Sequence, residues 1–208
     1  MSVRNNIANF IKYTKEAMWL VVLLIVVLTV FSSFSNGKET AETMETISLE
    51  AHYITYNSAE ELDKADLILI GTPIADFLER EHQTSYYFDG SLEDFYTNTE
   101  IQVEKIIKSP NDFELDNSDT FSVIEPVGLV EMDGAKKVTI DGYREMKKGE
   151  KYIMFFNKNA YGKYSIINND LGKFNLDQNS TKINKFAKNS TELTLEDEVK
   201  IKYRDFIE

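Results

Sequence analysis

The stretch DLILIGTP, residues 66–73, decides the fold. It is a short apolar run that ends in Gly71-Thr72-Pro73, and such a run has two readings. It can be the first strand of a nucleotide-binding unit, delivering a phosphate to the turn that follows, or a strand of an ordinary β-barrel. A phosphate loop needs G-x-x-x-x-G-K-[ST] and a dinucleotide fingerprint needs G-x-G-x-x-G, each opening directly into a helix. The next glycine after Gly71 is Gly90, and Thr72-Pro73-Ile74-Ala75-Asp76 fits neither pattern. The strand reading is left. Pro73 has no N–H to give to a ladder, so regular pairing should loosen there or the strand should lie at an edge.

On the N-terminal side of this strand, Ser58-x-x-Glu61 is a capping box and predicts a short helix over 58–64. On the C-terminal side, TNTEIQVEKII (97–107) places Thr97, Thr99, Ile101 and Val103 on one face and Asn98, Glu100, Gln102 and Glu104 on the other. That period of two is a half-buried strand. After Val103 the phase slips, which predicts a bulge or a strand end. TFSVIEP (120–126), KYIMFF (151–156), KYSII (163–167) and GKFNL (172–176) are further strand candidates. Asp133-Gly134, between GLVEM and KKVTI, predicts a tight hairpin, and Asp141-Gly142 and Lys148-Gly149 predict turns. The chain closes with a helix over 194–207: Thr194 can cap, acids precede bases, and Leu195, Val199, Tyr203 and Phe206 recur at helical spacing. That face is expected to pack on the parent domain. Seven or more short strands with two short helices describe a small all-β barrel or sandwich. A doubly wound α/β fold would need a long helix after almost every strand.

The N-terminal end has a different character. Residues 17–37 carry no charge, and Ala17–Phe31 is apolar on every side, long enough with its flanks to cross a bilayer core of about 30 Å. The membrane-facing side chains of this span (17–35) are Trp19, Leu20, Leu23, Leu24, Val27, Val30 and Phe31. Arg4, Lys12 and Lys15 precede it in a short N-terminus (1–16), and Lys38 is followed by Glu39, Glu42, Glu45 and Glu50, so the positive-inside rule puts the N-terminus in the cytoplasm and the rest outside. The expectation is a single-pass signal-anchor in the cell membrane; the alternative is a signal peptide cut near Ser35, releasing a secreted domain. Residues 36–50 are polar, acidic and free of aromatics and read as a stalk, with the folded domain over 51–208.

No cysteine occurs, which excludes disulfides, thiolate metal sites and cysteine nucleophiles. A disulfide-free extracytoplasmic domain fits a Gram-positive exterior. Residues 36–208 hold 20 of the 23 Lys and Arg and 34 of the 35 Asp and Glu, a net charge near −14. Such a surface repels nucleic acid and anionic headgroups and leaves cationic partners or divalent ions open.

Chemistry-bearing motifs are few. His52 and His82 stand thirty residues apart with no catalytic pattern around either and are expected to be surface or structural. DFELDNSD (112–119) resembles a calcium loop superficially, but position six is Asn117 and position twelve is Val123. Glu93-Asp94 would serve glycoside hydrolysis only in a cleft, which nothing in the sequence predicts. No catalytic residue, metal ligand set or cofactor is therefore assigned. Tyr86, Tyr87, Phe88 and Tyr96 form the candidate partner surface, because successive strand residues face opposite sides and some of these rings should point outward; the alternative is that they fill the barrel and brace its hairpin.

The segment order, a capped helix, ADLILIGT (65–72), the TNTEIQVEKIIK strand (97–108) and KKGEKYIMFF (147–156) followed by YSII and LGKF, resembles the netrin-module or tissue-inhibitor-like OB barrel. Anchored or secreted bacterial proteins of unassigned function are similar in outline. The likeness covers residues 58–176 and implies an OB-like barrel used as a binding scaffold. In the animal inhibitors an N-terminal cysteine chelates a protease's zinc; this chain has none, so no functional residue carries over. The expected function is a non-catalytic, membrane-anchored extracytoplasmic module that binds a protein, a peptide or an envelope component. The alternatives are an inhibitor or immunity-like protein acting on a secreted protease or toxin, an envelope enzyme, and a purely structural envelope component.

Overall fold

The structure is a computed structural model, described here over residues 44–115, 119–177 and 193–207. The predicted span, its anchor side chains Trp19 to Phe31 and the Ser35 cleavage position lie outside the described residues. Among the described residues no helix is long and apolar enough to cross a membrane.

The opening stretch forms β2 (Leu67–Pro73), flanked by β4 (Leu92–Lys108) and β8 (Tyr152–Lys158), antiparallel to both. Its alternation is hidden because both faces are buried. Leu67 and Leu69 stand opposite Phe156 and Met154 on one face; Ile68 and Ile70 stand opposite Phe155 and Ile153 on the other, and all eight are buried. The second face is covered by α1 (Ala59–Leu62) and by the C-terminal α2 (Leu195–Lys202), which bring Leu62, Val199 and Tyr203 onto the isoleucines. A strand covered on both sides needs no polar face, which is why the run reads as continuous apolar sequence.

The sheet closes on itself. β4 pairs with β5 (Thr120–Glu125), β5 pairs in parallel with β9 (Tyr164–Ile166) at Ile124 and Ser165, and β9 pairs with β8, which returns to β2. The result is a five-strand barrel in the order β2-β4-β5-β9-β8. β10 (Lys173–Asn175) takes the stretch of the β8 edge that β9 leaves open, Tyr152 to Met154. Thr97, Thr99, Ile101 and Val103 are all buried, as the alternation predicts. The slip after Val103 is a double bulge on β4: the partners of Ile70 and Gly71 are Lys105 and Val103, and those of Ile68 and Leu69 are Lys108 and Ile106.

β4 is much longer than its barrel contacts require. Its first half leaves the barrel and pairs with β3 (Glu81–Tyr86), forming a projecting hairpin. A second sheet of three strands lies beside it: β6 (Val127–Glu131), β7 (Ala135–Ile140) and, parallel to β7, β1 (Thr46–Leu49). Phe95, Val130 and Val138 form its small core with Ile47, Leu92 and Ile140. Asp133 and Gly134 both take positive φ between β6 and β7, as a tight hairpin demands. β1 falls within residues 36–50, the segment that the sequence reads as a stalk. Thr46–Leu49 is too polar to announce itself as a strand, yet it pairs over four registers with β7, and the segment is ordered by that edge.

The C-terminal helix holds the expected Thr194–Asp197 capping box. Tyr203 donates to Asp63 Oδ1 at 2.7 Å, and the Ala59 N–H donates to Glu198 Oε2 at 3.0 Å, so a carboxylate of α2 caps α1. The apolar face is shorter than its spacing suggests. The backbone leaves the helical region at Tyr203 before α3 (Arg204–Ile207), so Ile207 packs on the core while Phe206 turns outward under the Lys105 ammonium, 5.1 Å from the ring centre.

Gly71 is explained by closeness, not by a ligand. A Cβ there would lie 2.5 Å from Ile101 Cγ2 and 2.6 Å from the Gln102 carbonyl oxygen, because β4 crosses tightly at its bulge. Gly71→Ala is expected to cost about 1–3 kcal/mol of stability by urea denaturation. Adding Ile101→Ala should not restore it, since the Gln102 carbonyl still blocks the site; full recovery in the double variant would contradict this packing.

Candidate functional site

Polar groups buried at one end of the barrel position the surface beside it. Glu125, the last residue of β5, is fully buried and accepts four hydrogen bonds. Oε1 receives Arg80 Nη1 at 2.7 Å and the Thr99 hydroxyl at 2.5 Å; Oε2 receives the Tyr143 hydroxyl at 2.7 Å and the Met146 N–H at 2.8 Å. Arg80, itself buried, also donates to the Ala75 carbonyl through Nε at 3.1 Å and to the Met146 carbonyl through Nη2 at 2.5 Å. A buried charge is tolerated only when paired and hydrogen-bonded, and both members here are. The pair therefore ties the β2–β3 connection, β4, the end of β5 and the 143–146 turn to one point.

The cluster extends outward through Tyr143. Burial first, and then the charge of Glu125, push its phenol well above the ordinary range, so it stays a donor. Lys173 lies with Nζ 3.6 Å from the centre of the Tyr143 ring and 2.6 Å from Asp170, which Arg144 also holds at 2.8 Å. Burial lowers the Lys173 ammonium from its usual range even against the pull of Asp170. All of these groups have partners inside the fold.

Next to this cluster lies a groove of about 700 Å³, walled on one side by the β3–β4 hairpin and on the other by the β8–β9 loop. Gln83, Ser85, Asp94 and Tyr96 come from the hairpin, Asn159, Tyr161 and Lys163 from the loop, and Ile124, Pro126 and Ile166 complete the lining. The loop is rigid for a local reason. The Asn159 carboxamide oxygen accepts the N–H groups of Tyr161 and Lys163, both at 3.0 Å, and Gly162 supplies the positive φ that closes the turn. Tyr161 is thereby presented to solvent at 90% exposure. A smaller pocket of about 300 Å³ adjoins the groove through Pro126, Ile140 and Ile166, under the segment that carries Tyr53, Ile54 and Tyr56.

The aromatic residues of the hairpin, Phe95 beside those singled out from sequence, divide between these places. Phe95 packs in the small core. Tyr96 lines the groove, with Lys163 Nζ 5.4 Å from its ring centre. Tyr86, Tyr87 and Phe88 are exposed at the end of the hairpin, so the reading in which these rings fill the barrel does not hold for them. The turn there is closed by Gly90 N–H to Tyr87 O at 2.9 Å and by Asp89, which accepts the Ser91 N–H and hydroxyl; these bonds hold its carboxyl below the usual carboxylate range. Phe88 is consequently fixed in water at 110% exposure.

His52 is exposed. His82 is structural: Nε2 donates to the Phe77 carbonyl at 2.9 Å and Nδ1 meets the Thr97 hydroxyl at 2.8 Å. Of the calcium-like run, residues 116–118 lie outside the described residues, and Asp112 sits 4.0 Å from Lys158 Nζ. Among the described residues no group of three or more His, Asp or Glu could hold a metal ion. The cleft that sequence reasoning does not predict is present, and Asp94 lines it while Glu93 does not. Sequence reasoning also misses Tyr161; its signal is Asn159-Ala160-Tyr161-Gly162, a turn too tight to bury the aromatic it contains.

No protein-family model matches this chain, and no curated protein matches it.

His82 gives the stability of the fold a pH dependence. Burial, followed by the nearby Arg80 charge, holds its pKa below the ordinary value of 6.5, so the unfolded chain takes up a proton that the folded chain resists. Its contribution to stability is present above pH 6.5 and is lost as pH falls through the lowered folded value. Thermal midpoints measured from pH 7.5 down to about 5 should fall in the native chain and fall less in His82→Gln; identical profiles would contradict the assignment.

Proposed function

We propose that the chain is a membrane-anchored, extracytoplasmic binding module, non-catalytic, whose partner docks in the groove between the β3–β4 hairpin and the β8–β9 loop. The observation that carries this reading is the position of the groove within the barrel. With β2, β4, β5, β8 and β9 taken as strands one to five, the order of closure and the parallel pairing of the third with the fifth are those of an OB-like barrel. OB barrels use the face of strands two and three, with the loops joining one to two and four to five, to hold oligomeric ligands. The groove is lined from the same strands and loops. The likeness to netrin-module barrels is part of this proposal, and it argues for a scaffold only, since function resides in sites and not in folds.

The chemistry of the groove favours binding over catalysis. Its charged side chains are Asp94 and Lys163, on opposite walls, and no histidine lines it. Tyr96, Tyr161 and the carboxamides of Gln83 and Asn159 are recognition groups, aromatic area with adaptable hydrogen bonds. The apolar sequence of residues 17–35 and its basic N-terminal flank support the anchor and the outside placement.

A photo-crosslinking residue placed at Tyr161 of the full-length chain in intact cells should capture one dominant partner, and the same residue at exposed Ile201 on α2 should not. Equal capture at both positions, or none at Tyr161, would overturn the groove as the docking site. Protease added to the same cells should remove the domain; its survival would overturn the placement outside.

A further inference from the structure

The hairpin that walls the groove has an unusual electrostatic character. Residues 81–100 hold Glu81, Asp89, Glu93, Asp94 and Glu100 and not one Lys or Arg. Many other carboxylates on this molecule are neutralised: Asp170 by Arg144 and Lys173, Glu104 by Lys151, Glu60 and Asp63 by Lys202. Among the described residues the five carboxylates of the hairpin form no ion pair. Glu81 is held by the amides of Gln83 and Asn98, and Asp94 by the Phe95 N–H. By strand alternation Glu81, Gln83 and Ser85 share a face with Asp94, Tyr96 and Asn98, so Glu81 joins the face that the groove uses.

The backbone of the hairpin is also incomplete. β3 pairs with β4 alone, and its other edge bears no strand among the described residues. Monomeric proteins guard such edges with lysine, proline or bulges. β3 reads Glu-His-Gln-Thr-Ser-Tyr, with no lysine or proline, and its single register shift falls at its last residue. At the end of the hairpin, where that edge finishes, stand the exposed rings of Tyr86, Tyr87 and Phe88.

We propose that an extended Lys- or Arg-bearing segment of a protein partner adds to the free edge of β3. Its alternate cationic side chains meet Glu81 and Asp94, and its end lies against Tyr87 and Phe88. Strand addition supplies affinity through main-chain bonds and selectivity through alternate side chains. Unpaired carboxylates and exposed aromatic faces both favour ammonium and guanidinium groups. Lys163 confines the segment to the β3 side of the groove, because it would repel a cation placed beside the β8–β9 loop. A neutral oligosaccharide would use the rings and carboxamides of the groove but would leave the open edge and the carboxylates unexplained. This inference rests on the groove being a docking site and names the chemistry of what docks.

The test is fluorescence anisotropy on the full-length chain with three labelled probes: a short peptide alternating Lys with Thr, its Glu counterpart, and the Lys peptide N-methylated at alternate amides. The Lys peptide should bind alone of the three and weaken as salt rises through the physiological range. Glu81→Gln with Asp94→Asn should weaken it by about tenfold or more, and so should Thr84→Pro, which removes an N–H that faces the open edge and not β4. Unchanged thermal midpoints in both variants would exclude unfolding as the cause. Equal binding of the Glu peptide, or Lys-peptide binding untouched by either variant, would overturn the proposal. So would chitotetraose binding in the groove while the Lys peptide does not. Partner capture at Tyr161 together with any of these failures leaves the docking site standing and removes only the cationic segment.

Discussion

The buried pair of Arg80 and Glu125 is the constraint on which the rest of the molecule depends. Two charges taken out of water are costly, and the cost is met here because Glu125 accepts four hydrogen bonds and Arg80 reaches two carbonyls besides. The value of the arrangement lies in where its members come from. Arg80 precedes β3, Thr99 lies in the middle of β4, Glu125 ends β5 just before Pro126 turns the chain into the small sheet, and Tyr143 and Met146 lie between that sheet and β8. A single point thus holds the places where the chain leaves the barrel and returns to it. Removing one partner would leave an uncompensated charge in the interior, a loss of about 3–5 kcal/mol in comparable buried pairs.

Everything the groove needs follows from those exits. The barrel consumes the second half of β4 and frees the first half to carry β3 outward. The small sheet fills the space behind the hairpin with Phe95, Val130 and Val138, so the opposite face of the hairpin stays open. The β8–β9 loop is braced by Asn159 and supplies the facing wall. Rigid elements on both sides let a surface bind without first having to order itself.

Much of the barrel was legible in the sequence because its signals are local. Ser58 caps the first helix, Thr97 to Val103 alternate, Asp133-Gly134 turns a hairpin, and Thr194 opens the last helix, each with the stereochemistry its residues predict. What escaped depends on distant partners. Thr46–Leu49 becomes a strand only because the edge of β7, about ninety residues away, is there to receive it. Arg80 and Glu125 look like surface charges in a hydrophilic chain and are joined across forty-five residues. The aromatic cluster of the hairpin was visible, but its division into buried Phe95, groove-lining Tyr96 and exposed Tyr86 to Phe88 was not. Whether a ring faces the small sheet or water depends on β6 and β7 lying behind it. The groove was invisible for the same reason: its two walls meet only in the closed barrel.

The central claim is that the buried pair holds the walls of the groove in place. Amide hydrogen exchange on the full-length chain, compared with Glu125→Gln, tests it most directly. The account predicts that the amides of residues 81–98 and 143–146 speed up together while those of β8 keep their protection, because the clamp joins the hairpin and the turn but not the barrel centre. Faster exchange confined to the immediate neighbours of residue 125, with the hairpin unchanged, would contradict it.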